Sequence, residues 1–203
     1  MTLASGERRR LRDLAVGDAP LAVDAAGALV HSAAYVFPHF VTTGLFAFKR
    51  LSTAAGANVT ATGGHYMLVG RGPGAGAWAR RAAVPARDVR IGDVLWVVSG
   101  ADAGAALAPS PVVGVADVMA EGIVNPLTLA GTLVVDGVAA SVYVDMLGSE
   151  ARMHALCGAW RAMWRLAPWA LKALHRAGWA PPAAMGLGRA TRAVLVAAGS
   201  IAA

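Results

Sequence analysis

Arg12-Asp13-Leu14-Ala15-Val16-Gly17-Asp18 is met again 75 positions later as Arg87-Asp88-Val89-Arg90-Ile91-Gly92-Asp93. One such pair is ordinary turn chemistry, because Gly takes a positive φ and Asp caps the turn ahead of a strand. Two further matches follow in the same order. Leu51-Ser52-Thr53-Ala54-Ala55-Gly56 resembles Leu127-Thr128-Leu129-Ala130-Gly131, and Thr62-Gly63-Gly64-His65-Tyr66 falls opposite Ala139-Ala140-Ser141-Val142-Tyr143 at an offset of 77. Three matches at a nearly constant offset indicate a duplicated unit. They predict two superimposable halves, over about residues 12–66 and 87–143, with Asp18 and Asp93 in equivalent places.

Between the repeated motifs lie short apolar runs separated by Gly, Asp and Asn: Leu21-Ala22-Val23, Val30 to Phe37, Tyr66 to Val69, Val94 to Val98, Val112 to Val118 and Thr132 to Val135. Runs of this length and spacing suit an all-β domain of short strands. The longest uncharged run, Ala25 to Phe48, is interrupted by His31, Ser32, Pro38, His39, Thr42 and Thr43. It reads as a pair of buried strands rather than a membrane span.

Composition narrows the class. With 57% hydrophobic and 15% charged residues, the chain of 203 residues is not a disordered one. Cys157 is the single cysteine, so no disulfide scaffold is present. Met1 to Leu14 carries four arginines and no apolar core, so no signal peptide is expected there. Charge divides the chain: residues 1–150 hold 11 Lys/Arg and 12 Asp/Glu (net −1), and residues 151–203 hold 7 Lys/Arg and no acid (net +7). The basic character belongs to the tail alone, and no nucleic-acid-binding motif accompanies it, so no nucleic-acid partner is expected. The five His are scattered, and none pairs with Cys or acids at ligand spacing, so neither a metal nor a cofactor is expected. The boundary falls near Gly148 to Ala151, giving a body over residues 1–148 and a tail over residues 149–203.

The tail holds four of the six Trp: Trp160, Trp164, Trp169 and Trp179. Leu156, Trp160, Trp164, Leu171 and Leu174 recur at helical spacing, with Arg161, Arg165, Lys172 and Arg176 on an adjoining stripe. Pro168 ends one helix near Leu166 and starts a second at its own first turn, Pro181-Pro182 closes the second, and a third runs from Leu187 to Ala198. A basic, Trp-bearing amphipathic helix without acids fits an interfacial membrane element, with Trp160, Arg161, Trp164, Arg165 and Trp169 at the surface. The alternative is that the apolar face packs on the β body and the arginines are solvated.

The runs Leu14-x-Val16-Gly17-Asp18, Gly27-x-x-Val30-x-Ser32 and Thr62-x-x-His65 resemble the Hedgehog autoprocessing domain of the Hedgehog/intein (Hint) superfamily. So do Ile91-Gly92-Asp93 and the stretch Asn125-Pro126-Leu127-Thr128-x-x-Gly131-Thr132-x-x-Val135-Asp136-Gly137-Val138-x-x-Ser141-x-Tyr143. The likeness spans about residues 2–145 and implies a flat all-β disk with pseudo-twofold symmetry, in agreement with the duplication.

The resemblance also implies a reaction. A Cys at the first position of the domain attacks the carbonyl before it, converting a peptide bond to a thioester, and a sterol or water then releases the upstream precursor segment. Amide-to-thioester exchange runs uphill, so the leaving nitrogen must be polarised or protonated. In the family the Thr-x-x-His residues do this, which assigns the role here to Thr62 and His65. Where Hedgehog proteins carry the Asp that activates sterol, this chain has His39, a candidate general base. Ser141-Val142-Tyr143 stands where Ser-Cys-Tyr is usual.

The initiating Cys would lie just upstream of Met1, and Cys157 cannot replace it because the acyl shift needs a nucleophile beside its own peptide bond. As it stands the chain is expected not to carry out the first step. A second class remains open: a catalytically inert Hint fold serving as a membrane- or lipid-associating module. The tail coincides with the sterol-recognition region that follows the disk in Hedgehog proteins, and the resemblance implies a secretory or extracellular setting.

Overall fold

A computed structural model of the chain describes residues 1–100 and 104–178. Ten strands occur among the described residues: β1 (Leu21–Val23), β2 (Leu29–His31), β3 (Ala34–Thr53), β4 (Asn58–Ala61), β5 (His65–Val69), β6 (Ala82–Pro85), β7 (Val94–Ser99), β8 (Ala106–Thr128), β9 (Thr132–Val135) and β10 (Val138–Val144). They form a two-stranded β1-β2 sheet and a larger antiparallel sheet in the order β4-β3-β8-β7-β10-β5-β6, with β9 on β10.

The duplication is visible bond by bond. Asp18 accepts from the Ala15 amide and from Arg9, and Asp93 accepts from the Arg90 amide and from Arg71. Gly17 and Gly92 sit at φ +103° and +91°, a region that an L side chain resists, and their amides donate to Ala34 and Val112. Burial pushes the Asp93 carboxyl up, but the bonds from Arg71 and the Arg90 amide outweigh it and hold the group below its ordinary value.

The halves are also interlocked. The Ser32 hydroxyl, in the first half, accepts from the Ala130 amide of the second at 2.8 Å. The Ser110 hydroxyl, in the second, accepts from the Ala55 amide of the first at 3.0 Å. The backbone bonds from Leu129 to Ala33 and from Ala54 to Pro111 run parallel to these. Thr53 and Thr128 each close their own loop by donating to Ala57 and Thr132.

The expectation of uniformly short strands needs correction. Val30 to Phe37 divides between β2 and β3, and Val112 to Val118 lies inside β8; β3 and β8 are 20 and 23 residues long. They pair along most of their length, with irregularities of register between Val36 and His39 and between Val41 and Leu45. Pro38 cannot donate to the ladder, which fits the first of these. At the second, a Cβ on Gly122 would meet the Val41 carbonyl oxygen at 2.7 Å, so only glycine fits. Such irregularities bend a ribbon without ending it, and the sequence period alone does not register that continuity.

The tail begins at Ser149, whose hydroxyl caps the Arg152 amide. It contains α1 (Glu150–Leu156), α2 (Gly158–Leu166) and α3 (Pro168–Arg176). Pro168 occupies the first turn of α3, as expected. The helix expected up to Leu166 is interrupted at Cys157 before Gly158, a poor helix former. The second helix stops at Arg176, ahead of Pro181-Pro182, because Gly178 enters the left-handed region at φ +76°. Trp179, Pro181-Pro182 and the helix expected over Leu187–Ala198 lie outside the described residues.

Ser32→Ala and Ser110→Ala should each lower stability by about 1–2 kcal/mol, because each strips a partly buried backbone amide of its acceptor. Urea unfolding of the two single variants measures this, and near-equal losses are expected from the equivalence of the sites.

Candidate functional site

A cleft of ≈ 790 Å³ opens between the β3–β8 ribbon, the β4–β5 turn and β10, and its walls include Thr62, His65 and His39. The structure therefore brings together the three residues singled out from sequence. Leu11 and Arg12 line it as well, and Leu11 packs with Met1 against the same buried cluster, which sets the cleft close to the start of the chain.

Thr62-Gly63-Gly64-His65 is a tight turn closed by the His65 amide on the Thr62 carbonyl at 2.9 Å. It is clamped from both sides. The Arg87 amide donates to the Gly63 carbonyl at 3.0 Å and the Asp145 amide to the Gly64 carbonyl at 2.7 Å. Arg87 and Asp145 then pair through their side chains, and the Tyr66 hydroxyl donates to Asp145 at 2.9 Å. The Arg87 bond and then the Tyr66 bond hold the Asp145 carboxyl below its ordinary value.

His65 Nε2 lies 2.7 Å from the Ser141 carbonyl oxygen. A carbonyl only accepts, so Nε2 carries the proton and the lone pair of the neutral ring falls on Nδ1. Burial lowers the His65 pKa, partly opposed by the bond to Ser141. The ring is therefore neutral at neutral pH, and once protonated it is a stronger acid than a free imidazole.

The Ser141 carbonyl is available because β10 bulges there. Its pairing with β5 holds at Ala140↔Met67 and resumes at Val144↔His65, so three residues of β10 stand opposite one of β5. His39 lies across the cleft on β3, 8% exposed and opposite the equally buried Asn125 of β8.

Sequence reasoning missed Ser141, Asn125 and the Arg87–Asp145 clamp as parts of this site. The repeat carried a usable signal for one of them: Arg12 and Arg87 occupy the same repeat position, and both line the cleft. Asn125 lay within a quoted motif, but nothing in the sequence pairs it with His39. The role of Ser141 is that of a backbone carbonyl and has no side-chain signature.

The profile of the Hint module matches residues 1–185 of this chain. The chain belongs to the Hint family. It is 32% identical over 174 residues to the protein hedgehog of Drosophila virilis, covering 82% of this chain and 33% of that protein. Against the protein hedgehog of Drosophila melanogaster it is 32% identical over 186 residues, covering 88% and 34%. The chain thus spans about a third of the length of the curated relatives it matches.

Among solved structures, a DnaB intein from Synechocystis superposes with TM-score 0.53 at 15% identity, covering 70% of this chain and 92% of that one. A DnaX mini intein from Spirulina platensis gives 0.52 at 12% identity, covering 70% and 93%. At such identities the likeness is one of fold, and it fits the duplicated, curled antiparallel sheet of this Hint domain.

The tail residues divide. Trp160 and Trp164 pack on the core cluster that contains Tyr35 and Tyr143, and Arg161 donates to the Tyr143 hydroxyl at 3.2 Å. Leu171 is buried, and His175 stacks on Phe37 at 5.4 Å between ring centres. Arg165 is exposed, as are Leu166 at 86% and Trp169 at 73%. Cys157 is buried among these contacts, and burial pushes its thiol pKa up, which makes it a poor nucleophile. No helix among the described residues is long and apolar enough to cross a membrane, and no group of three metal-binding side chains occurs among them.

Because the His65 pKa is depressed, the folded chain binds fewer protons than the unfolded one once pH falls below the ordinary histidine value of 6.5. The His65 contribution to stability is complete above that value and is lost as pH falls through the folded-state pKa. His65→Asn should flatten the decline in Tm between about pH 7 and pH 5 relative to the unaltered chain, as read by calorimetry at matched ionic strength.

Proposed function

We propose that this Hint domain is a self-processing unit of the Hedgehog type, which exchanges the peptide bond preceding it for a thioester and passes the acyl group to a sterol or to water. The observation that carries this reading is the convergence of Thr62, His65 and His39 on one cleft beside the start of the chain. In the first step the thiol of a cysteine preceding Met1 gives its proton to Nδ1 of His65, which later passes it to the leaving nitrogen, and the sulfur bonds to the carbonyl carbon of the residue before it. The C–N bond breaks, and the nitrogen leaves as an amine after gaining a proton. A His65 held through Nε2 by Ser141 has Nδ1 free to handle that proton, and the Thr62 hydroxyl polarises the same amide.

In the second step the acceptor oxygen bonds to the acyl carbon, its proton goes to a base, and the thiolate departs. His39 supplies the base from the opposite wall. The two histidines therefore serve different steps.

A second reading, an inert Hint fold that docks on lipid, is favoured by the exposed Leu166 and Trp169 beside Arg165. Interfacial insertion needs such an apolar tip with neighbouring positive charge. The packing of half-buried Trp160, Trp164 and Arg161 against the disk leaves this tip, rather than the whole stripe, for the membrane.

In a precursor with Cys before Met1, His65→Ala should slow thiol-induced cleavage by about 10²-fold or more. His39→Ala should leave thiol-induced cleavage intact, since added thiol replaces the acceptor, and should slow spontaneous transfer. Equal cleavage rates in the His65 variant and its parent would overturn the assignment. For the lipid reading, co-sedimentation with anionic, sterol-containing vesicles should fall when Leu166→Ser and Trp169→Ala are combined, and unchanged partitioning would count against it.

A further inference from the structure

We propose that the helical tail positions the cleft histidine: His154 and Arg161 hold the Tyr143 hydroxyl, Tyr143 fixes the bulge of β10, and the bulge presents the carbonyl that orients His65. The tail is then a working part of the cleft and more than a cover for the disk. The inference rests on the reading of His65 as the proton-handling residue only for its chemical consequence, because the positioning itself is a property of the resting chain.

Each link is a short contact. The Tyr143 hydroxyl lies 2.8 Å from His154 Nδ1 on α1 and accepts from Arg161 on α2 at 3.2 Å. The Tyr143 amide donates to the Ser141 hydroxyl at 3.1 Å, and Ser141 in turn gives its carbonyl to His65 at 2.7 Å. Ser141 and Tyr143 both fall in the stretch where β10 loses register with β5, between Ala140 and Val144. A regular ladder would commit the strand's carbonyls to its neighbour. The bulge withholds one, and the tail's grip on Tyr143 keeps the bulge from slipping back into register.

The pairing also explains what the polar groups of α1 and α2 do on a face otherwise packed by Trp160, Trp164 and Met153. Burial raises the Tyr143 hydroxyl pKa to about 12, so it remains a neutral phenol able both to donate and to accept. Arg161 can only donate to it, and the hydroxyl keeps both its proton and a second lone pair for His154 Nδ1, so either imidazole tautomer can complete the contact.

The test reads the imidazole directly in the full chain. Long-range ¹H–¹⁵N NMR of His65 should show a single Nε2–H form in the parent. Tyr143→Phe, which keeps the ring and deletes the hydroxyl, should convert it to a mixture of both tautomers, as should the combined His154→Gln and Arg161→Gln variant. Leu171→Ala, a core truncation on α3 that leaves the Tyr143, His154 and Arg161 side chains unaltered, serves as the control for general destabilisation and should leave His65 unmixed.

Should Tyr143→Phe fail to fold, the doubly substituted helix variant gives the same readout from exposed and half-buried positions. A His65 that remains purely Nε2–H in every variant would overturn the proposal, as would one whose tautomer shifts as much in Leu171→Ala. If the tautomer responds as expected but cleavage does not depend on His65, positioning stands and the self-processing reading fails. If cleavage depends on His65 and the tautomer does not respond, the reverse holds.

Discussion

Two serine hydroxyls carry the interlock on which the remaining structure depends. Ser32 reaches from the first half to cap the loop at Ala130 in the second, and Ser110 reaches back to cap the loop at Ala55. Both serines are buried, and each gives an acceptor to a backbone amide that is partly withdrawn from water. The exchange is reciprocal: each half closes its own loop through Thr53 or Thr128 and takes one further acceptor from the other half. The long β3–β8 ribbon is the matching geometry: β3 carries the first half's loop at Ala55 to Ser110, and β8 carries the second half's loop at Ala130 to Ser32.

That crossing also makes the cleft. β3 brings His39 and β8 brings Asn125 to one wall, and the β4–β5 turn brings Thr62 and His65 to the other. The turn is then held by the second repeat, through Arg87, Asp145 and Ser141. A duplicated fold thus becomes asymmetric where chemistry is concerned. The first copy supplies the Thr-Gly-Gly-His turn, and the second supplies the frame around it. Ser141, which falls within the second copy of that segment, contributes its carbonyl to the imidazole.

Much of this was readable beforehand, for identifiable reasons. The Val16-Gly17-Asp18 and Ile91-Gly92-Asp93 turns are local, since a positive-φ Gly and a capping Asp leave the same trace wherever they occur. The family likeness rested on such turns and on Thr62 and His65, and the fold followed. The continuity of β3 and β8 was hidden by bulges that interrupt alternation without ending the strands. The division of the tail arginines was equally hidden: Arg161 and Arg165 lie one turn apart on α2, and only the position of Tyr143 makes one a partner of the disk and leaves the other in solvent. The Ser141 carbonyl had no trace at all, because the backbone is common to every residue.

The interlock also sets an order of events during synthesis. Ser32 waits for a partner 98 residues further along, and His65 for one 76 residues further along. Contacts of such sequence separation form late, since the loop they close must be ordered first. A ribosome adding roughly 5–20 residues per second therefore exposes the N-terminal half for several seconds before its loops can be capped. During that interval the imidazole has no carbonyl to hold it. The clock that governs when the cleft first exists is the emergence of β10, so whatever precedes this domain in a longer chain has left the ribosome, with time to fold, before the cleft is assembled behind it.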